Sequence, residues 1–133
     1  MTFGLFSQSR RRSEGCPLCR PSDAEVAHSP FIVVKRLTSE HTHEYVSLGH
    51  CSGCESLALY YAADVYDDFW QYWCLIDDAE HRLLTQEDGD SDDLQRSAIA
   101  RAIVGKHVHL MKGPVRGFEW IPKGFPPIVG PPW

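Results

Sequence analysis

Short runs of β-branched and aromatic residues, separated by polar stretches, dominate the hydrophobic pattern of the chain. Runs of this length and composition are typical of β-strands. The polar stretch TSEHTH at 38–43 is suited to a hairpin tip between the first two runs. Together the runs predict strands at residues 31–37, 44–50, 56–62, 69–76, 107–112 and 117–122.

Residues 64–84 fit two structural templates. With a period of two, the aromatic side chains alternate between two faces, whereas with a period of 3.6 they gather on one side of a helix. Periodicity alone does not decide between the two. The β-rich composition of 69–76 favours a strand, followed by a turn at 77–82 that leads into the sequence RLLT.

One amphipathic helix is predicted at about 91–104. Asp90 or Ser91 can cap its N-terminus, and Gly105 is suited to end it. Packing of this helix on the strands predicts an α+β fold, with the helix covering one face of the sheet. The apolar stripe expected to face the sheet consists of Leu94, Ala98, Ile99, Ala102 and Ile103.

The charge of the chain is unevenly distributed. The 133 residues carry a formal net charge of −5, yet residues 64–93 alone hold eleven acidic residues against Arg82, a net charge of −10. Aromatic residues are interleaved with these acids. Such a segment is either a solvated face or a surface for a basic partner. The expected partner-binding residues are Asp67, Asp68, Phe69, Trp70, Tyr72, Trp73, Asp77 and Asp78.

The N-terminal sequence indicates the compartment. The basic run at 10–12 is followed by polar sequence with no apolar core, so we expect no export signal. No apolar run approaches the roughly 18–20 residues that cross a bilayer, so no membrane association is expected. The predicted location is therefore the cytoplasm, where paired cysteines hold metal more often than they form disulfides.

Four of the five cysteines form two CxxC pairs. Cys16 and Cys19 are the first pair, Cys51 and Cys54 the second, and Cys74 lies in an apolar run as a buried side chain. Two CxxC turns supply four thiolates, which suit tetrahedral zinc and leave no open position. The prediction is a structural Zn²⁺ site; a redox-active CxxC, which would need a βαβ context, is the weaker alternative.

The order of CxxC pair, strand, turn, strand, CxxC pair and strand resembles a zinc ribbon, such as the C-terminal domain of transcription elongation factor S-II. The resemblance covers under half the chain and implies a metal-binding role for the four paired cysteines. Ribbons usually have glycine after the second cysteine of each pair, where this chain has Arg20 and Glu55. The acidic pair at the tip of the elongation factor is replaced by TSEHTHE, so its RNA-cleavage role is not carried over.

This resemblance divides the chain into four regions. A flexible basic lead is expected at 1–15, a zinc-ribbon-like module at 16–63, an α+β remainder packed with it at 64–122, and a proline-rich tail at 123–133. The tail is expected to be extended and to lie against its own domain, because apolar side chains on a tail usually find cover there.

No catalytic motif accompanies these features. The deaminase, HExxH and GxSxG patterns and a phosphate-binding glycine loop are absent from the sequence, so we expect no enzyme. His107 and His109 alternate along a predicted strand and are expected at surface or cross-strand positions. His50 could replace a thiolate ligand, but four cysteines already complete the site.

Two functions remain as hypotheses. The first is a small acidic zinc-binding protein–protein interaction module, an inhibitor or immunity-type protein for a basic, nuclease-like partner. The alternative is a zinc-ribbon protein that binds nucleic acid or is associated with transcription. That alternative would use the basic N-terminal lead, because the acidic segment would repel a phosphate backbone.

Overall fold

A computed structural model describes residues 31–38, 43–52, 55–65, 68–86, 93–114 and 117–127. Within these residues the chain forms an α+β fold of one antiparallel sheet and two helices. The strands are β1 (Phe31–Arg36), β2 (Glu44–Cys51), β3 (Leu57–Val65), β4 (Asp68–Leu75), β5 (His109–Lys112) and β6 (Phe118–Ile121), and the helices are α1 (Asp78–Thr85) and α2 (Asp93–Lys106). The α+β class and all six predicted strands are confirmed, with shifts of a few residues at their ends, whereas the zinc-ribbon character of the first strands stays a prediction.

The six strands lie in the sheet in chain order, each antiparallel to its neighbours. The three longest strands, β2, β3 and β4, form adjacent pairs over nearly their full length. Both helices are inserted between β4 and β5. The sheet therefore has its most extensive pairing in one continuous segment of chain, residues 44–75.

One face of the sheet is covered mainly by α2, and we call it the helix-facing side. Val46, Leu59 and Tyr61 are fully buried there against the helix residues Ala100 and Val104. Burial of such side chains contributes roughly 1.5–3 kcal/mol each for an aliphatic residue. Alternation along β2 and β3 thus places one set of apolar side chains beneath α2.

The opposite face of the sheet carries a second, smaller apolar cluster. Trp73 and Leu110 are buried in it. The ring of Trp73 lies 5.5 Å from the rings of both Tyr60 and Phe118, so aromatic contacts run across three strands. Because β4 has buried side chains on both faces, its sequence lacks a clean polar alternation, and this is why its periodicity was ambiguous.

The turn predicted at 77–82 is wrong, because these residues begin a second helix. Asp77 is the N-cap: its carboxylate accepts a hydrogen bond from the Glu80 amide at 2.8 Å, and the Glu80 carboxylate accepts one from the Asp77 amide at 3.0 Å. This reciprocal capping box satisfies two amides that the first turn leaves unpaired. Leu84, fully buried, then attaches α1 to the core.

Helix α2 matches the predicted helix, but its buried stripe is rotated from the expected one. Ala98 and Ala102 are exposed, whereas Ser97 and Ala100 are fully buried. The small side chains at these buried positions let the helix approach the sheet closely. Of the expected stripe, Ile103 is buried and Ile99 is partly buried in the core, and nothing is described for the side chain of Leu94.

The first part of the proline-rich tail lies against its own domain, as expected. The Gly124 amide donates a 2.7 Å hydrogen bond to the Gly105 carbonyl at the end of α2. A side chain at Gly105 would collide with Pro126, which shows how closely the two segments pack. Pro127 is buried, and residues 128–133 lie outside the described part of the chain.

We predict that Gly49→Ala destabilises the protein by about 1–3 kcal/mol, the usual cost of inserting a methyl group into a packed site. A Cβ atom at Gly49 would collide with the carbonyl oxygen of Ile32 and force β1 away from β2. The matched control is Gly117→Ala, because no atom lies within 4 Å of a Cβ at that position. Urea unfolding measures both variants, and equal midpoints would contradict the close β1–β2 contact.

Candidate functional site

The corner between β2 and β3 contains the described part of the predicted zinc site. Cys51, the last residue of β2, is fully buried. Its amide donates to the Ser56 carbonyl at 3.0 Å, and its carbonyl accepts from the Glu55 amide at 2.9 Å. These two bonds hold Glu55 and Ser56 close to the backbone of Cys51. Cys16, Cys19 and Cys54 lie outside the described residues.

Glu55, at the position where zinc ribbons usually have glycine, adopts a left-handed backbone conformation. Its φ angle is +62°, in the left-handed region that glycine adopts most readily. A non-glycine residue there is uncommon. The absence of glycine at this position therefore does not prevent the turn. Among the described residues no group of three or more possible metal ligands occurs, and zinc binding stays a prediction.

The predicted partner-binding residues fall into buried and exposed groups. Tyr72 and Trp73 are only 2% and 3% exposed, on opposite faces of the sheet, so both serve the core rather than an outer surface. Trp70 is partly buried on the helix-facing side, next to Gly113. Phe69 is 39% exposed and is the most accessible aromatic side chain of β4.

The acidic members of that set lie at opposite ends of β4. Asp68 begins the strand, and Asp77 follows its end, about 30 Å away at the rise of an extended chain. Asp77 caps α1 and Asp78 occupies its first turn, where a negative charge stabilises the helix. These two acids thus have a structural role of their own. Asp67 lies outside the described residues.

The exposed acids and the exposed aromatic residue come together where β3 joins β4. Asp64 and Asp68 are exposed, and Asp64 lies directly opposite Phe69, so these two side chains share one face of the sheet. Phe69 packs edge-on against Tyr45, with ring centroids 5.9 Å apart. We call Tyr45, Asp64 and Phe69 the acidic–aromatic surface; Asp68 precedes Phe69 in β4, so it lies at the edge of this surface with its side chain toward the other face.

A cation already lies against this surface. The guanidinium carbon of Arg36 is 5.3 Å from the centroid of the Tyr45 ring. This distance is within the range in which a ring attracts a positive charge. The side of Tyr45 and Phe69 near Asp64 therefore combines two features that favour guanidinium and ammonium groups, an aromatic pair and a carboxylate.

A polar cluster beneath α2 was not expected from the sequence. Tyr61 donates a hydrogen bond to the Glu44 carboxylate, and Arg101 forms an ion pair with the same carboxylate. Burial, followed by the Glu44 interaction, raises the pKa of Tyr61, so its hydroxyl stays protonated. The cluster connects α2 to β2 and β3 and gives the otherwise apolar contact a fixed orientation.

His107, which precedes β5, and His109, the first residue of β5, are both packed more closely than predicted. His107 Nε2 lies 2.8 Å from the Glu80 carboxylate. This contact connects the end of α2 to the start of α1. His109 is 1% exposed, and its Nδ1 lies 2.9 Å from the His107 carbonyl. Nδ1 must therefore carry the hydrogen. Burial lowers the pKa of His109 despite the nearby carbonyls, so the ring is neutral at neutral pH.

We predict that stability decreases as the pH falls below about 6.5, the value of an unperturbed histidine. Below this pH the unfolded chain binds a proton at His109 more readily than the folded protein, because burial lowers the pKa of the folded His109. The variant His109→Gln should lose less stability between pH 7 and pH 5 in urea unfolding. The exposed-site control His43→Gln should retain the wild-type dependence, and an equally steep loss in His109→Gln would contradict the assignment.

Comparisons with known proteins found no match, so the function is inferred from the geometry of the described residues. No protein-family model, curated protein or solved structure matches the chain. Among the described residues, no helix has the length and apolar character needed to cross a membrane.

Proposed function

We propose that this protein is a small acidic, zinc-binding protein–protein interaction module that binds a basic protein, as an inhibitor or immunity-type protein for a nuclease-like partner. The observation that carries the proposal is the acidic–aromatic surface, where Phe69 is 39% exposed beside Asp64 and Asp68. An accessible aromatic ring with a carboxylate directly opposite it on the same face suits an arginine- or lysine-containing surface.

Charge and aromatic contact have different roles in this proposal. The net charge of −10 over residues 64–93 attracts a basic partner and raises its association rate. Phe69 supplies apolar area that is desolvated on contact and slows dissociation. The Arg36–Tyr45 contact supports the proposed attraction of cations, because a guanidinium group of the chain itself packs on one ring of the aromatic pair.

Zinc has a structural role in the proposal, with Cys16, Cys19, Cys51 and Cys54 as the ligands. The tight turn at Cys51 and the left-handed Glu55 support this ligand set. The bound ion would cross-link the N-terminal region to the end of β2 and contribute to folding free energy. Four thiolates leave no position for a substrate, so no catalytic step is assigned to the metal.

The proposal assigns no catalytic residue. Two candidate nucleophiles among the described residues are kept protonated: burial raises the pKa of both the Cys74 thiol and the Tyr61 hydroxyl. The thiolate is the reactive form of cysteine, so Cys74 is suited to packing rather than chemistry.

We predict that protein purified without chelator contains stoichiometric zinc. Cys54→Ser and Cys51→Ser should lose the metal, because each removes one of four thiolates. The matched control is Cys74→Ala, which removes a buried thiol from the core and should retain zinc. Metal analysis by mass spectrometry decides the question. Absence of zinc, or zinc retained in Cys54→Ser and lost in Cys74→Ala, would contradict the ligand set.

We further predict that a basic protein is captured by the tagged protein from its native host and survives nuclease treatment. The double variant Asp64→Asn/Asp68→Asn should slow its association and flatten the salt dependence, and Phe69→Ala should weaken affinity by about tenfold or more. Surface plasmon resonance with the captured protein measures both effects.

The control for this experiment is Asp78→Asn, which removes an acid at the far end of β4. It should leave binding to the captured protein within about twofold of wild type, because exposed charges that far apart are largely screened. Unchanged binding in the double variant would refute the acidic–aromatic surface. Loss of all captured material after nuclease treatment would favour the nucleic-acid alternative instead.

A further inference from the structure

We propose that a cavity beside β5 and β6 binds a small, uncharged and mainly apolar molecule. The cavity has a volume of about 400 Å³ and lies between the two strands and the chain segment that follows β6. This volume is within the range of natural small-molecule sites. The site is separate from the acidic–aromatic surface and independent of the function proposed for that surface.

The position of α2 leaves room for this cavity. The helix packs mainly over β2, β3 and β4, and its C-terminal end reaches the segment that follows β6. His109 and Ile121 are paired in register on the helix-facing side, near the C-terminal end of α2. The segment after β6 folds back over them and forms the outer wall.

The outer wall is held in place before any ligand arrives. Its backbone is attached to α2 by the 2.7 Å hydrogen bond from Gly124 to Gly105. Pro126 packs directly on Gly105, and Pro122 restricts the chain at the beginning of the segment. Prolines limit backbone motion, so the cavity is largely preformed and a ligand needs to order little of the wall.

The chemistry of the lining defines the ligand class. Aromatic, thioether and aliphatic groups dominate, represented by Tyr72, Met111 and Ile121, and among the described residues that line the cavity there is no acid, lysine or arginine. The imidazole of His109 is neutral and already bonded to backbone carbonyl oxygen. A charged ligand would lose favourable hydration of its charge without gaining an opposite charge in the cavity. An uncharged aromatic molecule carries no charge to desolvate, so it does not pay this cost.

Phe125 indicates where the ligand enters. It lines the cavity from the outer wall and remains 62% exposed, so part of its ring faces solvent. A ligand in the cavity would contact this ring and cover part of it. The site thus combines a buried apolar floor with an exposed aromatic edge, an arrangement that contributes apolar contact area on binding.

The test is titration of the full-length protein with N-phenyl-1-naphthylamine, an uncharged two-ring probe that fluoresces in apolar surroundings. We expect saturable binding, weakened about tenfold or more by Phe125→Ala, which removes contact area, and by Met111→Trp, which fills the cavity. The sulfonated analogue 8-anilinonaphthalene-1-sulfonate should bind more weakly because of its charge. Thermal unfolding verifies that each variant is folded.

The control is Leu83→Ala on α1. Leu83 is exposed and lines a separate, more open groove, so the variant reports probe binding at that groove and should leave the affinity unchanged. Absence of saturable binding, tighter binding of the sulfonate, or unchanged affinity in folded Met111→Trp and Phe125→Ala would overturn the proposal. Binding that appears only after removal of residues 128–133 would also overturn it and would identify the chain's own tail as the occupant.

Discussion

The contact between α2 and the central strands determines the rest of this structure. Ala100 and Val104 pack on the helix-facing side of β2 and β3, and Arg101 with Glu44 and Tyr61 adds one oriented polar connection. The apolar part supplies most of the free energy, and the polar part specifies how the helix lies. Because α2 covers only part of the sheet, β5 and β6 depend on the segment after β6 for cover.

The proposed sites are distributed around this contact without sharing residues. Cys51 and Glu44 lie at opposite ends of β2, about 23 Å apart at the rise of a strand, so the proposed zinc ligand Cys51 and the acidic–aromatic surface are at opposite ends of the sheet. This separation supports a structural role for zinc, since the ion would not reach the partner. It also makes the effects of mutations at the two sites close to additive.

Local composition was sufficient to predict the strands and α2, because β-branched runs and helix-capping residues act over a few positions. The same reasoning missed α1, whose signal is the short Asp77–Glu80 capping pattern within an ambiguous acidic segment. It also predicted that Tyr72 and Trp73 bind a partner together with Phe69, because no local pattern reveals that both faces of β4 are covered. Burial of His109 depends on contacts with α2 and β4 that lie far from it in the sequence, and it was not predictable from its neighbours in the chain.

The most direct measurement for the central claim is native-state hydrogen exchange by NMR at neutral pH. If α2 and the central strands form one cooperative unit, the amides of Ala100 and Val104 should exchange with the same free energy of opening as those of Tyr61 and Tyr72. These should be the slowest amides in the described part of the chain. Exchange of the α2 amides at a much lower free energy than those of β3 and β4 would contradict the account.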